Sequence, residues 1–309
     1  MIGPETTGVR SIVAPDLAII VPWLDRIFDR TSATSVLKDL PFLFQDDPRT
    51  IRRVVMDGSG RPLAHAAARL QRCVPRPVPG HPPRRDLLIA FVGAVATDPA
   101  ARNRGLGRRV VEETTRAAAL RGADLAVLWS EADAFYESMG FRPAGSEHVF
   151  CAVRSNFPPP SGGRVRAFRS ADLPRVIALH ESAPSKVRRD RAAWDTLLRI
   201  PGASTYVLEQ RSSVVAYGVV GRAADLAGTL HEWGVRSADL PALVGGVMAL
   251  RRSGELFVLA PGFAEEARSL FQLRGAETGS GPLCMAKPLR ESADLRILDD
   301  LWFTGLDSM

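Results

Sequence analysis

One stretch of the chain holds residue types that could bind a phosphorylated ligand. It reads Val95-Ala96-Thr97-Asp98-Pro99-Ala100-Ala101-Arg102-Asn103-Arg104-Gly105-Leu106-Gly107-Arg108-Arg109-Val110. An apolar, strand-like run ends here and an amphipathic helical pattern begins. Gly105 and Gly107 lack a Cβ, so a ligand can come close to the backbone. The first-turn amides of a helix have no intrahelical acceptors, and with the positive end of the helix dipole they suit a phosphate or pyrophosphate. Arg102, Arg104 and Arg108 add cationic charge around them. Two other nucleotide loops do not fit. A dinucleotide fingerprint needs a third glycine where Val110 stands, and a Walker loop needs a Gly-Lys-Ser/Thr that does not follow.

The elements that must position this stretch can be read from periodicity. The order predicted for the first half is a strand (about 9–13), helices (16–45), a hairpin (51–73), a strand (87–97), a helix (105–121), a strand (123–129), a helix (132–139) and a strand (141–153). Leu125-Ala126-Val127-Leu128-Trp129 is a continuous apolar run, as a strand buried on both faces requires. The 105–121 helix places Leu106, Val110, Thr114, Ala117 and Ala118 on one face. Gly122 and Gly140 each stop a helix.

Length sets the domain count. A chain of 309 residues predicts two domains. Hydrophobic residues at 46% and charged residues at 24% exclude a disordered chain, a collagen or a coiled-coil rod. No apolar run approaches the ~20 residues of a membrane span, and the first residues do not read as a signal peptide. Three widely spaced cysteines, Cys73, Cys151 and Cys284, have no metal-ligand spacing and imply reduced thiols in the cytoplasm. The formal charge of +6 comes with scattered basic residues and no aromatic-interleaved stripe, so it does not point to nucleic acid.

The least structured stretch, 156–163, contains Pro158-Pro159-Pro160-Ser161-Gly162-Gly163 and divides the chain into near-equal halves. The halves share a pattern. Val9-Arg10 leads to Asp16-Leu17, and Val165-Arg166 leads to Asp172-Leu173 at the same spacing. A repeat near 150 residues means duplicated domains, not a solenoid. The boundaries predicted are 1–155, a linker at 156–163, a second domain at 164–290 and a docking tail at 291–309.

Arg102-Asn103-Arg104-Gly105-Leu106-Gly107 resembles the Arg/Gln-x-x-Gly-x-Gly/Ala pyrophosphate motif of the GNAT acetyltransferase superfamily. Downstream, Phe135-Tyr136-Glu137-Ser138-Met139-Gly140-Phe141 resembles that family's Phe-Tyr-x-x-x-Gly-Phe segment. The resemblance covers residues 9–153. It implies an α/β (α+β) fold of two tandem GNAT-like domains, each a mixed, mostly antiparallel sheet flanked by helices. It also implies acetyl-CoA as co-substrate, with no metal. The backbone around Val95, Ala96 and Thr97 would pair with the pantetheine arm, and residues 102–108 would hold the pyrophosphate. Tyr136 would be the general acid for the departing thiolate. A phenol near pKa 10 can protonate a thiolate whose conjugate acid lies a little lower. Phe135 reads as the core residue of the pair.

The chain departs from the family pattern in places. Trp129 stands where many members carry an Asn, and the strand 89–96 holds no carboxylate to act as base. Glu131 is a candidate base, with a solvated loop charge as the equal alternative. His65 reads as a hydrogen-bonded lining residue of an apolar strand, and His231-Glu232-Trp233-Gly234 as a strand end without a metal. The second half keeps the element order but has Gly234-Val235-Arg236-Ser237-Ala238-Asp239-Leu240-Pro241 in place of Gly-x-Gly. It is therefore expected to bind no CoA and to shape the acceptor cleft.

The implied function is N-acetyl transfer to a primary amine, on a small molecule or a peptide, away from membranes. A non-catalytic acyl-CoA sensor is the alternative. The tail carries Leu295, Ile297, Leu298, Leu301, Trp302, Phe303 and Leu306, too apolar to stay free in water. The tandem also resembles the enhanced-intracellular-survival acetyltransferases, which use their C-terminal carboxylate as the base. That resemblance implies a tail placing the Met309 carboxylate, or else Asp307, near Tyr136.

Overall fold

The repeated Arg/Asp spacing builds the same small structure twice. Arg10 donates to both oxygens of Asp16 at 2.7 and 2.8 Å, and Arg166 to both of Asp172 at 2.7 and 2.9 Å. Each aspartate also accepts from a backbone N–H three residues earlier, that of Val13 or Arg169. A strand is thereby tied to the start of the helix that follows it.

This computed structural model describes residues 8–30, 34–223 and 225–308. In chain order the first half has β1 (Arg10–Ser11), α1 (Leu17–Ile27), α2 (Val36–Asp39), α3 (Pro41–Phe44), β2 (Thr50–Met56), β3 (Pro62–Val74) and β4 (Leu87–Thr97). It continues with α4 (Leu106–Leu120), β5 (Leu125–Leu128), α5 (Asp133–Glu137), β6 (Arg142–Ala144) and β7 (Glu147–Val153). The second half has β8 (Arg164–Ala167), α6 (Leu173–Glu181), β9 (Lys186–Val187), α7 (Arg191–Leu197), β10 (Ser204–Gln210), β11 (Ser213–Arg222) and β12 (Asp225–Gly234). It ends with α8 (Leu240–Arg251), β13 (Glu255–Pro261), α9 (Glu265–Leu273), β14 (Glu277–Gly281) and β15 (Cys284–Pro288). Among the described residues, no helix is long and apolar enough to cross a membrane.

Two mixed sheets result. The first runs β1-β2-β3-β4-β5-β15-β6, with β9 added to β3; the second runs β14-β7-β13-β12-β11-β10-β8. The apolar face of α4 lies on the first sheet: Leu106, Val110, Val111, Thr114 and Ala118 are all buried. In the second, Leu240, Leu243, Val244, Val247 and Met248 of α8 do the same. Phe157, inside the stretch read as a linker, is fully buried and packs on Phe271 at 5.0 Å.

The single strand predicted at 141–153 is two strands that belong to different sheets. Gly145 breaks it with a φ of +65°, a conformation open to glycine. A Cβ there would also lie 2.9 Å from the Cβ of Leu283. Leu283 belongs to the second crossing, from β14 to β15. The two crossings sit side by side and exchange partners. β6 pairs with β15 (Ala144 opposite Cys284), and β7 pairs with β14 (Glu147 opposite Gly281). In space, then, 147–153 belongs with the second half and 284–288 with the first.

The exchange makes a prediction. Residues 1–155 expressed alone contain β5 and β6 but lack the strand between them. That fragment should show no cooperative thermal transition. Co-expression with residues 156–309 should restore a soluble complex with one transition. A fragment 1–155 with native-like NMR dispersion would contradict the exchange.

Candidate active site

The site begins with a defect in β4. Its ladder with β3 shifts register between His65 and Ala67. The extra residue is absorbed at Ala94, whose φ of +50° costs a residue with a Cβ about 1 kcal/mol. Fully buried His65 holds the bulge, with Nδ1 2.7 Å from the Ala94 carbonyl oxygen. Burial pushes the imidazole down to about 4, so the ring is neutral and Nδ1–H donates. On its other edge β4 pairs in parallel with β5 only from Ile89 to Phe91. Beyond Phe91 the strands part. Among the described residues, no strand on that side takes up the backbone donors and acceptors of residues 92–97.

The loop after β4 turns through two left-handed residues, Asn103 (φ +59°) and Gly105 (φ +72°). Alternation of this kind turns successive N–H groups toward one concavity that favours an anion. A Cβ on Gly105 would meet nothing within 4 Å, whereas one on Gly107 would lie 2.7 Å from Thr97 Oγ1 and 3.5 Å from the Phe135 ring. Gly105 therefore gives the turn and the open approach, and Gly107 lets α4 sit against the end of β4. Arg102, Asn103 and Arg104 are exposed and Leu106 is buried. Arg108 bonds the Ser138 hydroxyl at 2.7 Å and the Ser138 carbonyl at 3.1 Å, which ties α4 to the end of α5.

Phe135 is not the core residue of the pair. Phe135 is exposed beside Gly107, while Tyr136 is buried against Phe141 with ring centroids 5.8 Å apart. The one-turn helix α5 can bury only one of two adjacent rings, and Tyr136 is the one turned inward. Burial raises its phenol, opposed by a hydrogen bond with Ser130. Tyr136, Ser130, Trp129 and the bulge residues Gly93 to Val95 line one cavity of about 520 Å³. Trp129 donates its indole N–H to the Leu283 carbonyl at 2.8 Å and stacks on Phe91. Glu131 is exposed and lies outside the cavity wall.

The far wall of the cavity is the C-terminal tail. Leu301, Trp302, Phe303 and Leu306 are buried; Phe303 meets Phe91 edge-on at 5.0 Å, and Trp302 meets Trp233 at 5.1 Å. Arg189 anchors the segment. It is 8% exposed, donates to both oxygens of Glu232 at 2.7 and 2.8 Å, and reaches Asp307 at 2.7 Å. Thr304 Oγ1 bonds the same two carboxylates. Burial disfavours a charge on Glu232, but Arg189 outweighs it and holds the carboxyl below its ordinary range. Arg222, also buried, donates to the Ser308 carbonyl at 2.6 Å. The expectations for Asp307 and Met309 fare differently here. Asp307 is paired with Arg189, so its carboxylate is not available beside Tyr136. Met309 lies outside the described residues, although Ser308 lines the cavity that Tyr136 lines.

The second half repeats the divergence without the phosphate loop. β12 and β13 pair in parallel only at Thr229 and Leu230, and past them lies a cleft of about 980 Å³. Its wall carries Asp239, Glu265 and Glu266 beside Arg175 and Arg236, with Arg236 paired to Asp239 at 2.8 Å, so these residues offer a phosphate no excess of positive charge. Pro241 in the first turn of α8 removes an amide. The His231-Glu232 pair, read as a plain strand end, contributes the buried partner of Arg189.

Sequence reasoning missed three features of this site: the anchor at Arg189, Arg222 under the tail, and Glu147, which the exchange brings into the cavity wall. Only Gly145 hinted at the exchange.

Comparison with known proteins agrees with the geometry. Residues 63–143, from β3 to β6, match the acetyltransferase (GNAT) domain family. No curated protein matches the chain. Among solved structures, a probable N-acyltransferase from Enterococcus faecalis V583 aligns with a TM-score of 0.72 at 16% identity, covering 92% of this chain and 73% of that one. A GCN5-related N-acetyltransferase from Kribbella flavida gives 0.66 at 16%, covering 92% and 72%. A tandem GNAT protein from the clavulanic acid biosynthesis pathway gives 0.56 at 15%, covering 93% and all of that chain. These likenesses establish a tandem GNAT fold.

Proposed function

We propose that this tandem GNAT-fold chain is an acetyl-CoA-dependent N-acetyltransferase of the cytoplasm that acts on a primary amine. One observation carries the reading. The unpaired edge of β4 and buried Tyr136 line a single cavity, and the same strand runs on through Thr97 to the glycine-bearing start of α4, where Gly107 packs beside Thr97.

The residues fit an extended, phosphorylated thioester. Backbone groups of Val95, Ala96 and Thr97 would take the amides of the pantetheine arm, as a strand partner would. The amides at Gly105, Leu106, Gly107 and Arg108 would take the pyrophosphate, with Arg102, Asn103 and Arg104 at its rim. In the reaction the amine nitrogen attacks the thioester carbon and the carbon–sulfur bond breaks. Tyr136 gives its proton to the departing sulfur and regains one from the nitrogen. The second cleft, with its carboxylates and Pro241, binds no CoA. The Met309 carboxylate is proposed to help anchor the acceptor amine, since Ser308 already stands in the cavity wall.

Three measurements test this. Calorimetry should find one CoA per chain. Gly107→Glu wedges a charged side chain between Thr97 and Phe135, which displaces the start of α4, and should weaken CoA by at least tenfold, about 1.4 kcal/mol; unchanged affinity in a folded variant would remove the site. Tyr136→Phe should lower kcat by roughly 10²–10⁴ with acetyl-CoA binding intact, and a near-wild-type kcat would reduce Tyr136 to packing. Deleting Ser308 and Met309 should lower kcat by about tenfold or more at unchanged Tm and CoA affinity. Full activity in that truncation would end the role given to the tail carboxylate.

A further inference from the structure

The strand exchange delivers an acidic residue to the cavity that no local motif announces. Glu147 is the first residue of β7. It follows the crossing at Gly145, pairs with Pro261 of β13 on one side and Gly281 of β14 on the other, and lines the cavity with Tyr136. The crossing lies next to the end of β5, where Trp129 reaches the Leu283 carbonyl. Glu147 therefore stands at the junction of the two sheets, in a cavity whose lining does not include the loop at 102–107.

Its surroundings are unusual for a carboxylate. Its hydrogen bond is a long one, from the Trp302 indole at 3.4 Å, and among the described residues no Lys or Arg pairs with it. The charged and titratable neighbours are otherwise engaged. His148 turns to the Gly262 carbonyl at 3.1 Å, and burial keeps the Cys284 thiol protonated. Across the cavity, Arg222 donates to Ser308 and to the Asp39 carbonyl, Arg30 pairs with Asp39 at 3.4 Å, and Asp225 adds a second negative charge. Phe28, Val36, Leu40, Leu259 and Phe303 supply apolar wall between these ends. A half-buried acid with no cationic partner, in a chamber with apolar walls, is complementary to a cation with an apolar body.

We propose that Glu147 receives the ammonium group of the acceptor and takes its proton, so that the substrate is a primary amine with an apolar or aromatic body that arrives charged. This rests on the acyl-transfer reading above. Burial pushes the Glu147 carboxyl up to about 7, opposed only weakly by the Trp302 indole, so it can both hold and exchange a proton near neutrality. The ammonium N–H bond breaks and the proton goes to the Glu147 carboxylate, which passes it to solvent. The neutral nitrogen forms the amide bond as carbon–sulfur cleaves. Its second proton replaces the one that Tyr136 gives to sulfur.

The test uses phenethylammonium as the probe and the full chain. A folded-state value near 7 means the carboxylate form is lost as pH falls. Its fraction rises about tenfold from pH 6 to pH 8. Calorimetry should show affinity for the probe rising by about that factor over this range. Glu147→Gln keeps the acceptor for the Trp302 indole and should bind weakly with no pH dependence, at undiminished Tm and unchanged CoA affinity. Glu147→Asp should restore part of the pH dependence. With an amine that the chain acetylates, wild-type kcat/KM should fall below pH 7, and Glu147→Gln should lose that limb. No binding by the wild-type chain, or binding that ignores both pH and Glu147→Gln, overturns the proposal. Binding that titrates through Glu147 with no acetylation of any amine would leave the ammonium site standing and refute acyl transfer instead.

Discussion

Backbone pairing at the junction of the two sheets is the constraint on which the rest of the molecule depends. β6 offers its ladder to β15 and β7 offers its ladder to β14, so neither sheet has a continuous run of strands without residues from both halves. Reversing the exchange would require both ladders to open at once, because Gly145 and Leu283 are packed against each other. The geometry of the cavity follows. β15 sets the position of β5 from one side, and the parting of β5 from β4 leaves the unpaired edge. The same crossing carries Glu147 to the cavity wall.

The tail closes what the exchange opens. It occupies the groove between the sheets, with Phe303 on the aromatic residues of the first and Leu306 in the core of the second. Apolar burial alone would let such a segment slide. The Arg189 anchor gives it a register, since one guanidinium is shared by Glu232 of β12 and Asp307 of the tail. Removing one member of a buried charged set of this kind typically costs 3–5 kcal/mol, roughly, because the others stay buried without compensation. A tail fixed so firmly is a wall of the site and not a lid over it.

What could be read in the sequence was whatever is local. The β4–α4 junction was legible because a buried strand, two glycines and a helical period lie within some twenty residues of chain. The Arg10–Asp16 and Arg166–Asp172 pairs announced the duplication for the same reason. The strand exchange was not legible. Alternation in 147–153 is the same whichever sheet receives it, and the choice of partner depends on residues far along the chain. The burial of Tyr136 in place of Phe135 has a similar cause: which ring turns inward depends on Phe141 and on how closely Gly107 lets α4 approach. Glu147 looks like a surface residue until Trp302, distant in sequence, is laid over it.

The separation of β6 from β15 also has a bearing on synthesis. The ribosome releases β6 roughly 140 residues before β15, which at about 5–20 residues per second is a delay on the order of ten seconds. Throughout that interval β5 and β6 present open edges with apolar residues on them, and the first sheet cannot close. Strand edges in this condition are templates for pairing with another chain. A cell making this protein therefore has a reason to shield the nascent N-terminal half until its missing strand emerges. Two copies made on one message could also trade strands with each other before either has folded on itself.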